Sequence, residues 1–325
     1  MNTLPLLLKR EYWEHRGGFL WTPVIITGTM LVFTMLGIIS AEVFRANANV
    51  HMGFSLDDLR GSISANDMVD AGNMLDMAQL VFSGIACIGL FFVLFFYLLG
   101  ALYDDRRDRS VLFWKSLPVS DTATVASKAL SAMLVAPVIA FAVATLAYIA
   151  FLILITLWAG IHGLNALPAV MAAHPFGMLW RMILAVPVNA LWALPAVGWL
   201  LFWSAWVRSK PFLWAVLIPL FALFANWWLG KLGAPHFAGD LNLASILGRL
   251  LFSIVPGSWI TANGSSVLRM HVKSNLEDNH VVSAFDPAQV YGLLAEPNLW
   301  IGVIAGVALL AAAIWFRQRR VETAS

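Results

Sequence analysis

Residues 79–102 read QLVFSGIACIGLFFVLFFYLLGAL, a stretch of 24 residues without a single Asp, Glu, Lys, Arg or His. As an α-helix at about 1.5 Å per residue, this stretch is about 36 Å long, slightly more than the roughly 30 Å hydrocarbon core of a bilayer. It is followed at once by YDDRRDRSVLFWKSLPVS over 103–120, whose charged residues are too costly to leave in lipid. Together these segments predict a membrane-spanning helix that ends at a charged surface segment.

Similar apolar runs occur elsewhere in the chain, at 21–41, 130–157, 182–206, 212–230 and 299–316. Of the 325 residues, 60% are hydrophobic and 12% are charged, whereas soluble domains have about 25% charged residues. We therefore predict an all-α polytopic membrane protein, with six transmembrane helices in a single transmembrane domain over 1–325. The runs use up most of the chain, which excludes a soluble enzyme, and the net charge of +2 does not favour a nucleic-acid partner.

The basic residues divide unequally between the two sides of the membrane. Six spans place both termini on one side, together with the segments that follow the second and fourth spans. That side has 13 of the 20 Lys and Arg residues, and the other side has seven spread over more than twice as many residues. Because Lys and Arg are enriched in cytoplasmic segments, we predict that both termini are cytoplasmic. The loops at 42–77 and 231–298 are then extracytoplasmic.

Two shorter segments are predicted to lie at the membrane surface. Residues 1–20 form an amphipathic interface helix, since basic residues line one helical face and the other face is apolar, with Leu4, Leu7, Leu8 and Tyr12. Within the second long loop, apolar residues recur at helical spacing over about 241–255, before Pro256. About 15 residues are too few to span a bilayer, so we predict an amphipathic helix in the outer interface.

Residues 103–128, between the second and third spans, are the most informative cytoplasmic segment. Six consecutive charged residues, from Asp104 to Arg109, are followed by an apolar stretch and by Leu117-Pro118. A loop that merely connects two spans has no need of the apolar stretch. A charged head followed by a short apolar helix and a proline is typical of a segment that docks on another protein or on the membrane surface.

The aspartates of this segment leave one enzymatic alternative open. Asp104, Asp105 and Asp108 match the pattern by which some membrane prenyltransferases hold Mg²⁺ and a diphosphate, since Mg²⁺ prefers carboxylate and phosphate oxygens. The chain would then be an integral membrane enzyme acting on a lipid diphosphate. However, the cytoplasmic sequence has no second acidic run, and the interleaved arginines would neutralise these carboxylates. We therefore predict that the chain is not an enzyme and has no catalytic residue, metal or cofactor.

A family resemblance is carried by LPLLLKREYWEHR over 4–16, by the six spans, and by the charged segment over 103–128 that contains LPVS at 117–120. These features resemble the ABC-2 type permease subunits of ATP-binding-cassette exporters. The layout is similar over nearly the whole chain, and the residue-level similarity is concentrated in 4–16 and 103–128. The resemblance implies an exporter subunit in the bacterial cytoplasmic (inner) membrane, surrounded by membrane lipids and paired with a second permease copy or a paralogue.

The resemblance also implies a partner and the residues that contact it. The chain has no Gly-x-x-x-x-Gly-Lys-Ser/Thr run, so ATP and Mg²⁺ would be bound by a separate ABC ATPase subunit. In the family, the segment after the second span and the N-terminal helix contact that subunit and pass its closure to the spans. The implied ATPase-coupling residues are Asp104, Asp105, Arg106, Arg107, Asp108, Trp114, Leu117, Pro118, Glu11 and Tyr12.

The substrate path is not assigned by the sequence. Apolar, Trp-rich spans without fixed charges favour a lipid-like, peptide or drug-like substrate. A membrane anchor or regulator that uses the same docking surface without transporting anything remains a further alternative.

Overall fold

The computed structural model describes residues 4–48, 65–108, 120–163, 165–232, 243–260 and 285–322. Regular structure within these ranges is helical, and no strand occurs in them. The prediction of an all-α protein is thereby confirmed. The physical reason is that a helix satisfies every backbone hydrogen-bonding group within its own segment, as a bilayer requires.

The described residues form twelve α-helices, α1 to α12 in chain order. The first part of the chain forms α1 (Leu4–Arg16), a π-helical turn (Gly17–Trp21), α2 (Thr22–Ala48), α3 (Ala65–Ala101) and α4 (Tyr103–Arg107). The middle part forms α5 (Asp121–Leu130), a second π-helical turn (Ser131–Val135), α6 (Ala136–Ile161), α7 (Leu167–Ala172) and α8 (Pro175–Trp206). The last part forms α9 (Pro211–Lys231), α10 (Leu243–Phe252), α11 (Pro287–Gly292) and α12 (Pro297–Glu322).

Six helical stretches are long and apolar enough to cross a membrane: Leu4–Phe44, Gly72–Arg107, Asp121–Ile161, Leu167–Trp206, Pro211–Lys231 and Pro297–Arg319. Each contains one of the predicted apolar runs, which confirms the prediction of six helices able to span the bilayer. The first and third stretches have 41 residues each. They are longer than a bilayer requires because α1 and α5 continue into α2 and α6 through the two π-helical turns.

The centre of the bundle is α8. Apolar side chains of this helix are fully buried together with side chains of α3, among them Ala196, Val197, Leu200, Leu90, Leu94 and Leu98. α8 also packs closely on α12: a Cβ atom added to Gly198 would lie 2.6 Å from the carbonyl oxygen of Gly306. Small residues allow such close approach of helix backbones in membranes. The glycine therefore fixes the spacing between α8 and α12.

The periphery is formed by α2 and α9. Large apolar side chains along both helices are exposed, among them Ile25, Phe33, Phe221 and Trp227. Such an apolar outer surface suits contact with lipid tails, since polar groups facing hydrocarbon would be left without hydrogen bonds. The chain therefore has the outer surface expected of a multi-pass membrane protein.

α10 lies outside the six spans. Its 10 residues are too few to cross a bilayer core, and they fall within the predicted range of 241–255. The guanidinium carbon of Arg249 lies 4.0 Å from the centre of the Trp192 ring of α8, and Arg249 Nη1 donates to the carbonyl oxygen of Asn298 at 2.6 Å. Burial lowers the pKa of Arg249 to about 10. These contacts bind α10 to α8 and to the start of α12.

Candidate functional site: a buried charge cluster

Five charged side chains from four helices meet at the end of the bundle that carries both termini. Lys128 Nζ of α5 lies 3.3 Å from Glu11 Oε1 of α1 and 3.7 Å from Asp105 Oδ2 of α4. Arg317 of α12 lies 3.1 Å from the same oxygen of Asp105 and 2.9 Å from Asp121 Oδ1 of α5. The five residues form a row of alternating sign, in the order Glu11, Lys128, Asp105, Arg317 and Asp121. We call this set the inner charge cluster.

The inner charge cluster is largely removed from solvent. Glu11 is 1% exposed, Lys128 3% and Arg317 4%. The side chains of Asp105 and Asp121, at 15% and 20%, are the most open members. A buried charge is costly unless it is paired and hydrogen-bonded, and removal of one partner leaves the other without compensation. Each member is therefore held in place by its neighbours.

The second carboxylate oxygen of Glu11 is bound by aromatic residues. The hydroxyl of Tyr97, near the end of α3, donates to Glu11 Oε2 at 2.8 Å. The His15 ring packs edge-on against the Tyr97 ring, with 4.6 Å between centroids, and His15 Nε2 lies 3.9 Å from Glu11 Oε2. Phe19 of the first π-helical turn is fully buried against the same tyrosine. α1 is thus attached to α3 as well as to α5.

A second set of contacts beside the cluster joins the end of α3 to the end of α8. Arg106 Nη2 donates to the carbonyl oxygens of Ser204 and Val207, the latter at 3.0 Å. The Ser204 hydroxyl oxygen accepts from the backbone N–H groups of Leu102 and Tyr103, each at 3.0 Å. The last carbonyls of a helix lack partners within the helix, and a cation is favoured there by the helix dipole. Arg106 therefore caps α8, and Ser204 holds the junction of α3 and α4.

The local sequence explains why α5 presents Lys128 inward. The helix begins at Ser120, whose hydroxyl oxygen accepts from the backbone N–H of Ala123 at 3.2 Å, a standard N-cap. Thr124, Ser127, Lys128 and Ser131 then follow at helical spacing, and all four are buried. A buried polar face requires polar partners, and the inner charge cluster provides them for Lys128.

Both helices that supply the Glu11 and Lys128 pair are joined to their spans by π-helical turns. Gly17–Trp21 links α1 to α2, and Ser131–Val135 links α5 to α6. A π-helical turn has one residue more per hydrogen-bonded ring than an α-helix, and such turns are frequent at functional sites. The two paired helices are thus attached to the first and third spans by the same kind of irregular turn.

The predicted ATPase-coupling residues fall into three groups. Glu11, Asp105 and Arg106 are engaged in contacts within the chain, as described above. Asp104, Arg107 and Asp108 are exposed on and just after α4, and Tyr12 is half-buried on α1. Trp114, Leu117 and Pro118 lie outside the described residues.

The aspartates of the enzymatic alternative do not share one arrangement. Asp105 Oδ2 faces Lys128 and Arg317, whereas Asp104 and Asp108 are exposed. Across the part of the chain that the structure describes, no group of three or more His, Cys, Asp or Glu side chains is placed to hold a metal ion. The geometry therefore gives the metal-dependent alternative no specific support.

Sequence reasoning missed Tyr97, Asp121, Lys128 and Arg317 as site residues. In the sequence, Arg317 contributes only to the excess of positive charge on one side of the membrane, and Lys128 is in addition the last residue of the segment 103–128. The sequence does contain a pattern that could have identified them. Residues of opposite charge flank several apolar runs on the side predicted to be cytoplasmic, namely Glu11, Asp105, Lys128 and Arg317. Residues at the same membrane depth are candidates for pairing in the bundle.

No family model, curated protein or solved structure matches this chain. The class that the fold defines is a multi-pass helical membrane protein with six helices able to span the bilayer.

Proposed function

We propose that the chain is the permease subunit of an ATP-binding-cassette exporter of the ABC-2 type, driven by a separate ATPase subunit. The observation that supports this proposal is the inner charge cluster, which links α1, α4, α5 and α12 at one end of the bundle. Asp104, Arg107 and Asp108 are exposed on the segment that carries Asp105. A partner that binds these exposed charges and moves would therefore displace α4 together with the helices that the inner charge cluster links to it.

The contacts give a route by which such a push would reach the spans. The pair between Glu11 and Lys128 joins two surface helices that continue into the first and third spans. The pair between Asp105 and Arg317 joins the end of the second span to the end of the sixth. Through Arg106, the same segment is bound to the end of the fourth span. Movement of one segment would thus displace five of the six spans.

The remaining parts of the proposal follow from the family resemblance, except the substrate class, which follows from the apolar, Trp-rich spans. A second permease copy or a paralogue would complete the path, and ATP with Mg²⁺ would be bound by the ATPase subunit. The transported substrate would be lipid-like, peptide or drug-like, and it would move out of a bacterial cell across the inner membrane. The excess of Lys and Arg on the side of both termini supports a cytoplasmic position for the inner charge cluster.

The experiment is purification of the chain from its native membrane in mild detergent, followed by assay of ATPase activity and identification of the copurifying proteins. We expect a P-loop ATPase to copurify with the wild type. The test variant reverses the exposed pair, Arg107→Glu with Asp108→Lys, and leaves Asp105 intact so that the inner charge cluster is preserved. We expect this variant to lose the ATPase while its thermal unfolding is unchanged.

A matched control is Arg208→Glu, a charge reversal at another exposed position near the same end of the bundle. This variant is expected to retain the ATPase. Absence of any ATPase from the wild type under several mild conditions would contradict the proposal. An ATPase that copurifies without any cargo flux in reconstituted vesicles would favour a non-transporting regulator instead.

A further inference from the structure

A second set of buried polar side chains lies far from the inner charge cluster, where α3, α6 and the start of α8 meet. Asp76, Gln79 and Ser83 recur on one face of α3, and Thr145 and Tyr148 lie one turn apart on α6. Their exposed fractions range from 0% to 6%. We call these five residues the outer polar cluster, since the predicted orientation puts it towards the extracytoplasmic side.

Two backbone groups at the start of α8 fix the geometry of this cluster. Gln79 Nε2 donates to the carbonyl oxygen of Pro175 at 3.0 Å and to Thr145 Oγ1 at 3.2 Å. Asp76 Oδ1 accepts from the backbone N–H of His174 at 3.0 Å. Because a carbonyl oxygen can only accept, the Gln79 amide must turn its NH₂ group towards Pro175. Its oxygen is therefore directed elsewhere in the cluster.

Three oxygen atoms of the cluster are buried without a hydrogen-bond partner: Gln79 Oε1, Ser83 Oγ and Tyr148 Oη. Most buried polar side-chain atoms in proteins are hydrogen-bonded, and each unpaired one carries a desolvation cost. Tyr148 lies one turn from Thr145 on α6, and Ser83 lies one turn from Gln79 on α3, so the three unpaired oxygens belong to turns next to the hydrogen bond between Gln79 and Thr145. A ligand bound among these turns would supply partners that the protein itself does not provide.

The charge of the cluster indicates what that chemistry is. Asp76 is a buried carboxylate, and no Lys or Arg among the described residues lies within 4.0 Å of it. The nearest basic group is the His174 imidazole, whose Nδ1 lies 3.7 Å from Asp76 Oδ2 and whose side chain is 77% exposed. A buried carboxylate calls for a nearby counter-charge. The unpaired atoms, one and two turns along α3 from Asp76 and on the facing α6, are all oxygens, which suit a positive ligand.

We propose that the outer polar cluster binds a singly charged cation, either Na⁺ or a primary ammonium group. One carboxylate with neutral oxygens matches a single positive charge, whereas Mg²⁺ usually keeps several waters and also binds substrate phosphates. The site has no thiol or buried imidazole that would suit a soft transition metal. An ammonium group has three N–H donors, equal in number to the unpaired oxygens. This proposal does not rest on the proposed transport function, since it concerns binding to the isolated chain.

The test measures thermal unfolding of the full-length chain in mild detergent, followed by tryptophan fluorescence. The buffer is held at pH 8.0, and choline chloride keeps the ionic strength constant because choline has no N–H donor and is bulky. NaCl and methylammonium chloride are titrated separately. A ligand that binds the folded state raises the unfolding temperature with concentration. We expect a saturable rise with one of the two cations, and the responsive cation identifies the ligand.

Variants of the outer polar cluster test whether the increase in unfolding temperature is caused by binding at this cluster. Tyr148→Phe removes one hydroxyl while keeping the ring, and we expect it to weaken the apparent affinity several-fold. Asp76→Asn removes the charge and is expected to weaken it at least tenfold. Ser40→Ala, at an exposed serine of α2, is the control and should behave as the wild type.

Two results would overturn the proposal: a wild type that responds to neither cation beyond choline, or a response that both cluster variants retain in full. Bound water alone would give the first of these results. If Asp76→Asn does not fold, Tyr148→Phe and Gln79→Met decide the question by the same criterion.

Discussion

Replacement of Lys128 by methionine tests the inner charge cluster most directly. The substitution keeps an unbranched side chain, one heavy atom shorter, and removes the charge that faces Glu11 at 3.3 Å and Asp105 at 3.7 Å. At an effective dielectric constant of about 20, the attraction across the shorter contact is about 5 kcal/mol. Much of this attraction offsets the cost of desolvating the charges. Removal of one partner of a buried pair nevertheless costs about 3–5 kcal/mol, because the other charge stays buried.

The chain offers a matched control in α1. Arg10 Nη2 lies 3.1 Å from Glu14 Oε2, a shorter distance than in the Lys128 pairs, but the two side chains are 29% and 49% exposed. Pairs exposed to this degree contribute about 0.2–1 kcal/mol. We therefore expect Arg10→Met to lower the free energy of unfolding by less than about 1 kcal/mol. The two variants differ mainly in burial.

The assay is reversible unfolding in mixed micelles as the fraction of denaturing detergent rises, with helicity as the readout. A double-mutant cycle adds Glu11→Gln to Lys128→Met and is expected to show a coupling of about 1–3 kcal/mol. The reasoning would be refuted if Lys128→Met cost no more than Arg10→Met. Full additivity in the cycle would refute the pairing with Glu11 in particular.

Three further predictions concern packing, anchoring and orientation. Gly198→Ala should destabilise the fold by about 1–3 kcal/mol, since the new methyl group would meet the Gly306 carbonyl; Gly84→Ala, with nothing within 4 Å of its added Cβ, should be neutral or slightly stabilising in the same unfolding assay. Arg249→Gln should lower the free energy of unfolding by about 1–2 kcal/mol, because it loses the stacking on Trp192 and the hydrogen bonds to α12 carbonyls. Arg249→Lys should be almost as destabilised, and equal stability of the wild type and both variants would contradict this prediction. Cys87 is buried and should not react with a polar maleimide, so any labelling reports an introduced cysteine. We expect Asp108→Cys to be labelled in inside-out vesicles and Asn165→Cys in right-side-out vesicles, since both positions are exposed; the reverse pattern would contradict cytoplasmic termini.

The six spans could be predicted because their signal is local. A run such as 79–102 is apolar over its whole length, and lipid permits only a helix for it. The surface segments were harder to predict, because their partners are distant in sequence. Asp105 and Arg317 lie 212 positions apart, and the sequence around either residue does not indicate the hydrogen bond between them. Sequence reasoning thus identified Asp105 within a charged segment, but not its partner.

Helical phase explains why neighbouring charges in that segment have different surroundings. Arg106 and Arg107 are adjacent, yet Arg106 caps α8 whereas Arg107 is exposed. Successive residues of a helix point about 100° apart, so the direction of each side chain depends on where the preceding span ends and how it is rotated. That rotation is set by packing of α3 on α8, which a single sequence does not reveal. The same holds for Gln79 and Thr145, whose pairing requires the register of α3 against α6.

The inner charge cluster and the π-helical turns together bear on how the proposed coupling would work. An apolar contact can slide by an ångström at modest cost, whereas a buried ion pair loses its compensation when its atoms separate, so the cluster favours discrete arrangements over gradual ones. α1 and α5, joined by Glu11 and Lys128, would accordingly move as one unit. The π-helical turns Gly17–Trp21 and Ser131–Val135 are the places where such a movement could be absorbed or passed to the spans. Their position directly beside the paired helices supports the proposal that a driving partner acts at this end of the bundle.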